Sequence, residues 1–421
     1  MSSFKTFAIY ALSCFSLIIG LALGENSSGG ARIDFEYLFP YVEGFSLSFK
    51  NGLETYLSNA ASIIHSPVFY ILVSFIYKLI DNVLLTKVFY IFFCSFLPLI
   101  FFLILRDKFK INKNILFIFS LVIFLSPYFR SSAIWLLGDN LSLIFLGLSI
   151  LYFNKVDELN YKNFKNCFLC MFFLILCCYI RYYYCLFSLY FLFLFYQKLK
   201  RKYFFLLITI SFILSLPAIF YLYYIFLNFD FGATVTNYTR FNTHNNFLII
   251  LSILFFYLLP FCILQKKIFF EYLRNNKKQI LIFFILYFTL YFIVHLFFKD
   301  LINFSPRGGG VFMKIANFNN IDPSLFLSTI SFISLVILDY FFRAKRIQNY
   351  SLLIILIFSF PIYTIFQKYF DPLFFLFFFG LIKSSEFENI LLKGKNILIP
   401  TLIYFSFFYC SSLIYYSKGF Y

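Results

Sequence analysis

The sequence predicts an all-α, polytopic integral membrane protein. Of its 421 residues, 62% are hydrophobic and only 13% are charged, whereas soluble domains are about 25% charged. The mean hydropathy is +0.86. Hydrophobic runs of roughly 17 to 25 residues recur from end to end, the length that a helix needs to cross about 30 Å of hydrocarbon. Backbone groups inside lipid must bond within their own segment, so these runs are expected to be helices.

The positive charge lies in short clusters between the hydrophobic runs. A net charge of +17 could suit a nucleic-acid-binding protein, but six clusters hold 22 of the 35 Lys and Arg residues. The positive-inside rule gives this distribution to cytoplasmic loops, so we expect no nucleic-acid partner. The clusters are Arg106–Asn114, Lys155–Asn166, Gln197–Lys202, Gln265–Gln279, Arg343–Asn349 and Lys383–Lys395.

With these clusters in the cytoplasm, the N-terminus lies inside, the C-terminus lies outside and the intervening loops face outward. The first apolar run, Phe7–Leu23, is long for a signal peptide. We therefore expect an uncleaved helix, although Ala22-Leu-Gly24 resembles a cleavage site. The outer loops are Glu25–Pro67, Pro127–Asp139, Tyr179–Tyr184, Asp230–Asn245, Lys299–Asp322 and Gln367–Asp371.

One apolar segment is expected not to cross the membrane. Two runs, Val68–Leu85 and Val88–Leu105, separate the first outer loop from the first cytoplasmic cluster. If both crossed, that cluster would lie outside. The first run contains Lys78 and Asp81, which are costly at mid-bilayer. We expect a juxtamembrane or re-entrant helix there, within a first outer region of residues 25–87, and about thirteen spanning helices in total.

The first outer loop is acidic, whereas the chain as a whole is strongly basic. Glu25–Pro67 holds five carboxylates and two basic residues. Asp34 and Glu36 lie two residues apart just outside the first helix. Such a pair can act as a general base, as metal ligands, or as plain solvated loop charges.

The order of the next motifs resembles the GT-C superfamily of polytopic membrane glycosyltransferases. His65-Ser66-Pro67-Val68 opens the segment after the acidic pair, and Arg130-Ser-Ser-Ala-Ile-Trp-Leu-Leu-Gly-Asp139-Asn follows in the next outer loop. In that superfamily an acidic residue follows the first helix, an H-x-P-type motif opens a juxtamembrane helix, and a second Asp follows a Pro and an Arg. The resemblance covers roughly residues 1–196, so that residues 197–421 would be a variable C-terminal region.

The resemblance implies a role for each of these residues. Asp34 would be the general base, with Glu36 as its substitute, and Asp139 would position the acceptor or a metal. His65 would lie near the donor phosphate, although the usual P-P-L of that motif is Ser66-Pro67-Val68 here. The cofactor that these carboxylates would admit is a divalent cation, Mg²⁺ or Mn²⁺.

Four arginines in the outer loops are candidates for binding the donor phosphate, since a guanidinium suits bidentate contact with phosphate. Arg181 and Arg307 are preferred over Arg130 and Arg240. Arg307 precedes Gly308-Gly-Gly310, which could expose backbone amides to an anion or could be a flexible turn. Alternatively, the arginines bind lipid headgroups or pair with Asp139 and Asp230. Tyr238 is a further candidate for substrate binding.

The function that follows is that of an inverting glycosyltransferase in the bacterial inner membrane. It would transfer a sugar from a polyprenyl-phosphate carrier to a lipid-linked glycan, lipopolysaccharide or surface polymer on the periplasmic face. Two alternatives remain. An O-antigen polymerase or ligase usually has its large outer loop late in the chain, and a flippase or transporter of lipid-linked saccharides predicts repeats and charges near mid-membrane.

A reporter fused after Lys110 tests the expected topology. Because the helix before Val88 is expected not to cross, the reporter should give a cytoplasmic signal. The same reporter after Asn51, in the first outer loop, provides the opposite reference. An outward signal after Lys110 would overturn the non-spanning helix.

Overall fold

The computed structural model describes residues 3–58, 66–158, 164–228, 243–297, 304, 308–362 and 364–417. Within these ranges the chain is all-helical, with 86% helix and no strands. The predicted α-helical class is therefore confirmed. The chain forms two compact units, residues 1–235 with 402–421 and residues 236–401. The division at residue 196 stays a prediction.

Seven helices or helix pairs in the described ranges are long and apolar enough to span a membrane, or eight if one bent pair counts as a span. The bent pair turns by 67° between Lys113–Leu125 and Pro127–Ile134. The seven are Lys5–Ala22, Val83–Lys108, Arg201–Tyr224, Asn245–Leu264, Lys277–Phe297, Pro323–Phe358 and Lys395–Ser417. An integral membrane protein is supported, whereas the expected thirteen spans are not confirmed, because other apolar runs fold as shorter helices.

Among the described residues before 229 there are twelve α-helices. They are α1 Ser3–Ala22, α2 Ala31–Leu47, α3 Phe49–Leu57, α4 Val68–Ile80, α5 Val83–Cys94, α6 Phe96–Lys108, α7 Lys113–Ser120, α8 Pro127–Ile134, α9 Asp139–Glu158, α10 Phe164–Ile180, α11 Phe187–Lys198 and α12 Arg201–Asn228. Two 3₁₀-helices, Leu121–Leu125 and Tyr182–Leu186, follow α7 and α10.

The remaining helices follow residue 242. They are α13 Thr243–Leu264, α14 Lys266–Asn275, α15 Lys277–Phe297, α16 Gly310–Phe318, α17 Pro323–Phe342, α18 Arg346–Phe358, α19 Leu373–Phe375, α20 Ser385–Leu392 and α21 Lys395–Ser417. Two 3₁₀-helices, Arg343–Lys345 and Gln367–Tyr369, and a π-helix, Leu376–Leu381, complete this set.

The acidic first outer loop is itself helical, because it forms α2 and α3. Ser48 separates the two helices, and its side chain accepts a hydrogen bond from the Asn51 amide at the start of α3. Gly44 and Gly52 let the helices approach closely, since a Cβ atom on Gly44 would lie 3.1 Å from the Gly52 Cα. The tyrosines of this hairpin therefore reach α4, where Tyr41, Tyr56 and Tyr70 form a ring cluster.

Helix α4 is shorter than a spanning helix. Its 13 residues extend about 20 Å at 1.5 Å per residue, against about 30 Å of hydrocarbon. It ends at Asp81, whose left-handed conformation (φ 49°) stops the helix, and Asn82 caps α5 through the Leu85 amide. Its length agrees with the expectation that this segment does not cross.

In the second unit, buried polar groups join helix ends. The i, i+4 spacing of Asp339 and Arg343 predicts an ion pair between them, but Asp339 binds Arg346 at 2.9 Å instead. Asp339 also accepts hydrogen bonds from Tyr272 and Tyr350. Arg343 pairs with the buried Glu386 of α20. The tertiary partners are therefore different from the pair that local spacing predicts.

The contact of α2 with α3 predicts the effect of Gly52→Ala. The new Cβ atom would lie 2.7 Å from the Phe45 Cα, so the hairpin must open. Overpacking of this kind costs about 1–3 kcal/mol. The apparent melting temperature of the purified protein should fall. Gly30→Ala is the control, since no atom lies within 4 Å of its Cβ position and its φ of −95° is ordinary. Equal melting temperatures for both variants would contradict the close approach.

Candidate functional site

The two carboxylates of the Asp34-Phe35-Glu36 motif point in different directions. Both lie on α2, where residues two apart differ by about 200° around the helix axis. Glu36 is exposed and pairs with Arg32 at 2.8 Å, one helical turn away. Asp34 is half-buried in the first turn of the helix, where the helix dipole favours a carboxylate. The motif therefore contains one half-buried carboxylate, Asp34, and one exposed carboxylate, Glu36, which is already ion-paired.

Asp139 forms an ion pair with Arg181. Asp139 begins α9, and Arg181 follows the end of α10. The Arg181 Nε atom lies 2.8 Å from Asp139 Oδ1, and Nη2 lies 3.2 Å from Oδ2. Burial alone would lower the pKa of Arg181, but the adjacent Asp139 carboxylate raises it well above its ordinary value, so the guanidinium stays charged. The alternative that one of the outer-loop arginines pairs with Asp139 is therefore confirmed for Arg181.

Tyr70 links Asp34 to this ion pair. Its side chain on α4 is 5% exposed and contacts the Tyr41 and Tyr56 rings at centroid distances of 5.4 and 5.8 Å. Burial raises the pKa of its hydroxyl, Arg181 opposes that effect, and Asp139 and Asp34 add to it. The charges of all three groups therefore act on one buried phenol. That Asp34, Asp139 and Arg181 form one site stays a prediction.

A second ion pair, between Glu25 and Arg130, is almost completely buried. The side chains are 5% and 6% exposed. The guanidinium donates from Nε and Nη2 to the two Glu25 oxygens at 2.8 and 2.6 Å, and donates two further hydrogen bonds to Ser16 Oγ and O. Glu25 also accepts from Ser27 at 3.0 Å and from Tyr409 of α21 at 2.9 Å.

This network gives Arg130 a positioning role. Four of its five N–H groups bind Glu25 and Ser16, which leaves one for a ligand. The Glu25 carbonyl oxygen also accepts a hydrogen bond of 2.6 Å from the Trp135 indole. Glu25 was counted among the loop charges, and its pairing was missed because Arg130, Trp135 and Tyr409 all lie more than 100 residues away in the sequence. Phosphate binding by Arg130 stays a prediction.

Lys87 is a further residue that sequence reasoning missed. It lies on α5 and is 7% exposed. Its Nζ atom is 3.6 Å from the centroid of the Phe35 ring and 4.2 Å from that of the Trp135 ring. In the part of the chain that the structure describes, no carboxylate lies within ion-pair distance of this ammonium group. The available sequence signal was a lysine at the edge of an apolar run.

The environment of Lys87 is unusual for a charged group. Lysine is rarely buried unless it is paired. Burying an ion costs several kcal/mol, whereas a desolvated cation–π contact contributes about 2 kcal/mol. Arg32 adds a like charge nearby, and Glu36 is the carboxylate that acts on both. The Lys87 ammonium group is therefore in contact with two aromatic rings and not with a carboxylate among the described residues.

A cavity of about 1140 Å³ opens beside these groups. One part of its wall is polar and includes Arg32, Glu36, Glu25 and Arg130. The rest is mostly apolar and comes from α1, the segment around Leu121–Leu125, and α21. The apolar lining residues include Ile9, Leu12, Ile19, Leu23, Ile33, Ile118, Phe124, Leu402 and Leu413. A cavity of this composition suits an amphiphile better than a fully polar ligand.

Four predicted site residues lie outside the described residues or have no described side chain: His65, Tyr238, Arg240 and Arg307. Their roles stay predictions. Among the described residues, no group of three or more His, Cys, Asp or Glu side chains could hold a metal ion. Asp34, Glu36 and Asp139 therefore form no ligand cluster for Mg²⁺ or Mn²⁺ there.

Comparison with protein-family models, with curated proteins and with solved structures finds no match to this chain. Functional inference therefore depends on the geometry of the side chains.

The buried ion pair predicts a large effect for Arg130→Met. The substitution leaves the Glu25 carboxylate buried without its partner, which costs about 3–5 kcal/mol. The apparent melting temperature, measured by far-UV circular dichroism, should fall strongly. Glu25→Gln in the same chain should recover part of the loss. Glu54→Gln, which removes an exposed pair with Lys50, should cost less than about 1 kcal/mol. A small effect of Arg130→Met would show that the pair does not hold the unit together.

Proposed function

We propose that this protein is a membrane glycosyltransferase of the GT-C type. It transfers a sugar from a polyprenyl-phosphate carrier, with inversion, to a lipid-linked glycan, lipopolysaccharide or surface polymer. The proposal places the reaction at the outer face of the bacterial inner membrane. It rests on the order of motifs in the first 196 residues and on the geometry of the first unit.

The observation that carries the proposal is the packing around the Asp139–Arg181 pair. Gly138, next to this pair, lies against Phe69 of α4 and Ile180 of α10. Tyr70 of α4 in turn packs against Tyr41 of α2, the helix that carries Asp34. A half-buried carboxylate, a carboxylate–guanidinium pair and a buried phenol share one region. Sugar transfer to a hydroxyl needs a base at the acceptor and a cation near the leaving phosphate. This arrangement contains both.

In the proposed reaction, Asp34 accepts the proton of the acceptor hydroxyl. The acceptor oxygen forms a bond to the anomeric carbon of the sugar, and the bond from that carbon to the phosphate oxygen breaks. The phosphate leaves with the electron pair and its negative charge. Asp139 orients Arg181 through two hydrogen bonds, so that the guanidinium is held in place before the charge develops.

The cavity supports an amphiphilic donor. Its apolar wall along α1 and α21 suits a hydrocarbon chain, and its polar wall contains Arg32 and Arg130. The wall also includes Glu25 and Glu36, each of which is paired with one of these arginines. The charged end of a lipid-linked sugar in this cavity would meet these ion pairs, whereas Asp34, Asp139 and Arg181 are not part of the cavity wall.

Asp34→Asn and Asp139→Asn test the proposal. Loss of the base should lower transfer from a polyprenyl-phosphate sugar by about 10²- to 10⁴-fold. Loss of the group that orients Arg181 should lower it by about 10²-fold. The measurement is sugar incorporation in membranes, with each protein quantified for expression and insertion.

Glu54→Gln is the matched control, because it removes an exposed carboxylate from the same loop. Glu36→Gln distinguishes the two candidate bases and should leave most activity if Asp34 is the base. Full activity in both Asp34→Asn and Asp139→Asn would overturn the mechanism.

A further inference from the structure

Helix α14 lies between two of the candidate membrane spans. Asn245–Leu264 ends just before it and Lys277–Phe297 begins just after it. Its ten residues, Lys266–Asn275, extend only about 15 Å at 1.5 Å per residue, whereas the hydrocarbon layer is about 30 Å thick. Gln265 and Asn276 depart from helical backbone angles at its two ends, so α14 is separate from both spans. A short helix held between two spanning helices lies at the surface of the membrane.

One face of α14 is fixed against α17. Tyr272 is 8% exposed, and its hydroxyl donates a hydrogen bond of 2.6 Å to Asp339. The rings of Tyr272 and Phe269 both pack against Tyr340, each at a centroid distance of 5.4 Å. These contacts set the rotation of α14 about its own axis, so its opposite face points away from α17.

The opposite face of α14 carries three basic residues and one exposed aromatic ring. At about 100° per residue, Lys267, Phe270 and Arg274 lie about 140–160° around the helix axis from the buried tyrosine. Lys266 lies about 120° from it. All four residues are exposed, Phe270 by 65%. We call Lys266, Lys267, Phe270 and Arg274 the α14 surface.

The cations of the α14 surface have no acidic partner among the described residues. In that part of the chain, no carboxylate lies within ion-pair distance of any of the three. Glu271 is the one acidic residue of α14, and it is itself exposed. Asp339 and Glu386, on neighbouring segments, are already paired with arginines of residues 343–346. An anion from outside the chain would therefore meet three cations that are available to it.

The position of the α14 surface at the membrane identifies this anion as a phospholipid headgroup. Basic residues beside an anionic lipid surface are attracted to it within about one Debye length. Interfacial helices place apolar side chains at the boundary between headgroups and acyl chains, and keep Lys and Arg on their polar face. Phe270 among three cations has this composition. A purely ionic partner would bind the cations and leave the Phe270 ring in water.

We propose that the α14 surface binds anionic phospholipids of the membrane that holds the protein. All of its residues belong to the second unit, whereas Asp34, Asp139 and Arg181 belong to the first. The proposal therefore does not depend on the sugar transfer proposed above. The predicted topology places Gln265–Gln279 on the cytoplasmic side, where the leaflet carries anionic lipid.

Binding of short-chain lipids tests the proposal. The full-length protein, freed of lipid in a non-ionic detergent, is titrated with dioctanoyl phosphatidylglycerol, dioctanoyl phosphatidylcholine and glycerol phosphate. Native mass spectrometry counts the bound ligand. The two lipids share their chains, so the ratio of their affinities reports on the headgroup. Phosphatidylglycerol should bind about 10- to 100-fold more tightly than phosphatidylcholine, because each basic residue near anionic lipid contributes about fivefold. Glycerol phosphate has no chains and should bind more weakly than phosphatidylglycerol.

A triple variant, Lys266→Gln, Lys267→Gln and Arg274→Gln in one chain, removes the three charges. The affinity ratio should fall to within a few-fold of one. Because the substituted side chains are exposed and the Tyr272 contacts remain, the melting temperature without added lipid should not change. The matched control is Lys198→Gln, Lys200→Gln and Lys202→Gln in one chain. It removes the same charge from exposed positions of another basic loop and should keep most of the ratio.

Phe270→Ser tests the aromatic ring and provides a second measurement should the triple variant fail to fold. It should weaken both lipids by about tenfold and leave their ratio unchanged, since the ring would lose apolar burial with either headgroup. Four results would overturn the proposal: equal affinity for the two lipids, equal affinity for glycerol phosphate and phosphatidylglycerol, equal loss in the two triple variants, or no effect of Phe270→Ser on either lipid.

Discussion

The buried ion pair of Glu25 and Arg130 is the interaction on which the first unit depends. Neither charge is tolerable alone in apolar surroundings, and each has its partner at 2.6–2.8 Å. The pair also forms hydrogen bonds with other segments. Arg130 donates to Ser16 of α1, Tyr409 of α21 donates to the Glu25 carboxylate, and the Trp135 indole donates to the Glu25 carbonyl oxygen. A charge that requires its partner thereby joins helices from both ends of the chain.

The candidate site follows from this constraint. Because Trp135 is held by Glu25, its ring is fixed where Lys87, Arg32 and Phe35 can pack against it. Phe35 in turn follows Asp34 along α2. Asp34, Arg32 and Phe35 belong to the same helix and point in different directions, because successive residues differ by about 100° around its axis. Lys87 belongs to α5.

The paired arginines illustrate how a membrane protein uses charge. Arg130 and Arg181 both lie in outer loops of the predicted topology, and both could have bound a ligand. Each instead has a carboxylate partner with two hydrogen bonds. Asp139 and Arg181 are 42 residues apart, and Glu25 and Arg130 are 105 apart. Such partners meet only after the helices pack, so the sequence offered Asp139 as a partner of the arginines only as one alternative and did not indicate the pair of Glu25 with Arg130.

The sequence alone determined the class and much of the local structure. Long apolar runs require helices, because backbone amides in hydrocarbon have no other partners. The motif order singled out Asp34, Asp139 and Arg181; the ion pair of Asp139 with Arg181 is present, and the shared site of all three stays a prediction. The short helix α4 agrees with the costly Lys78 and Asp81 in its run.

Only the tertiary structure decided which charged side chains form ion pairs with each other. In the folded protein Glu25 is the buried partner of Arg130. Glu36 is exposed, whereas Asp34 is half-buried. The tertiary structure also placed Lys87 between two aromatic rings. Hydropathy is a sum over neighbours in sequence, and it indicates which segments can lie in the membrane. The pairing of a charge depends on the position and rotation of helices distant in sequence, which is set by packing.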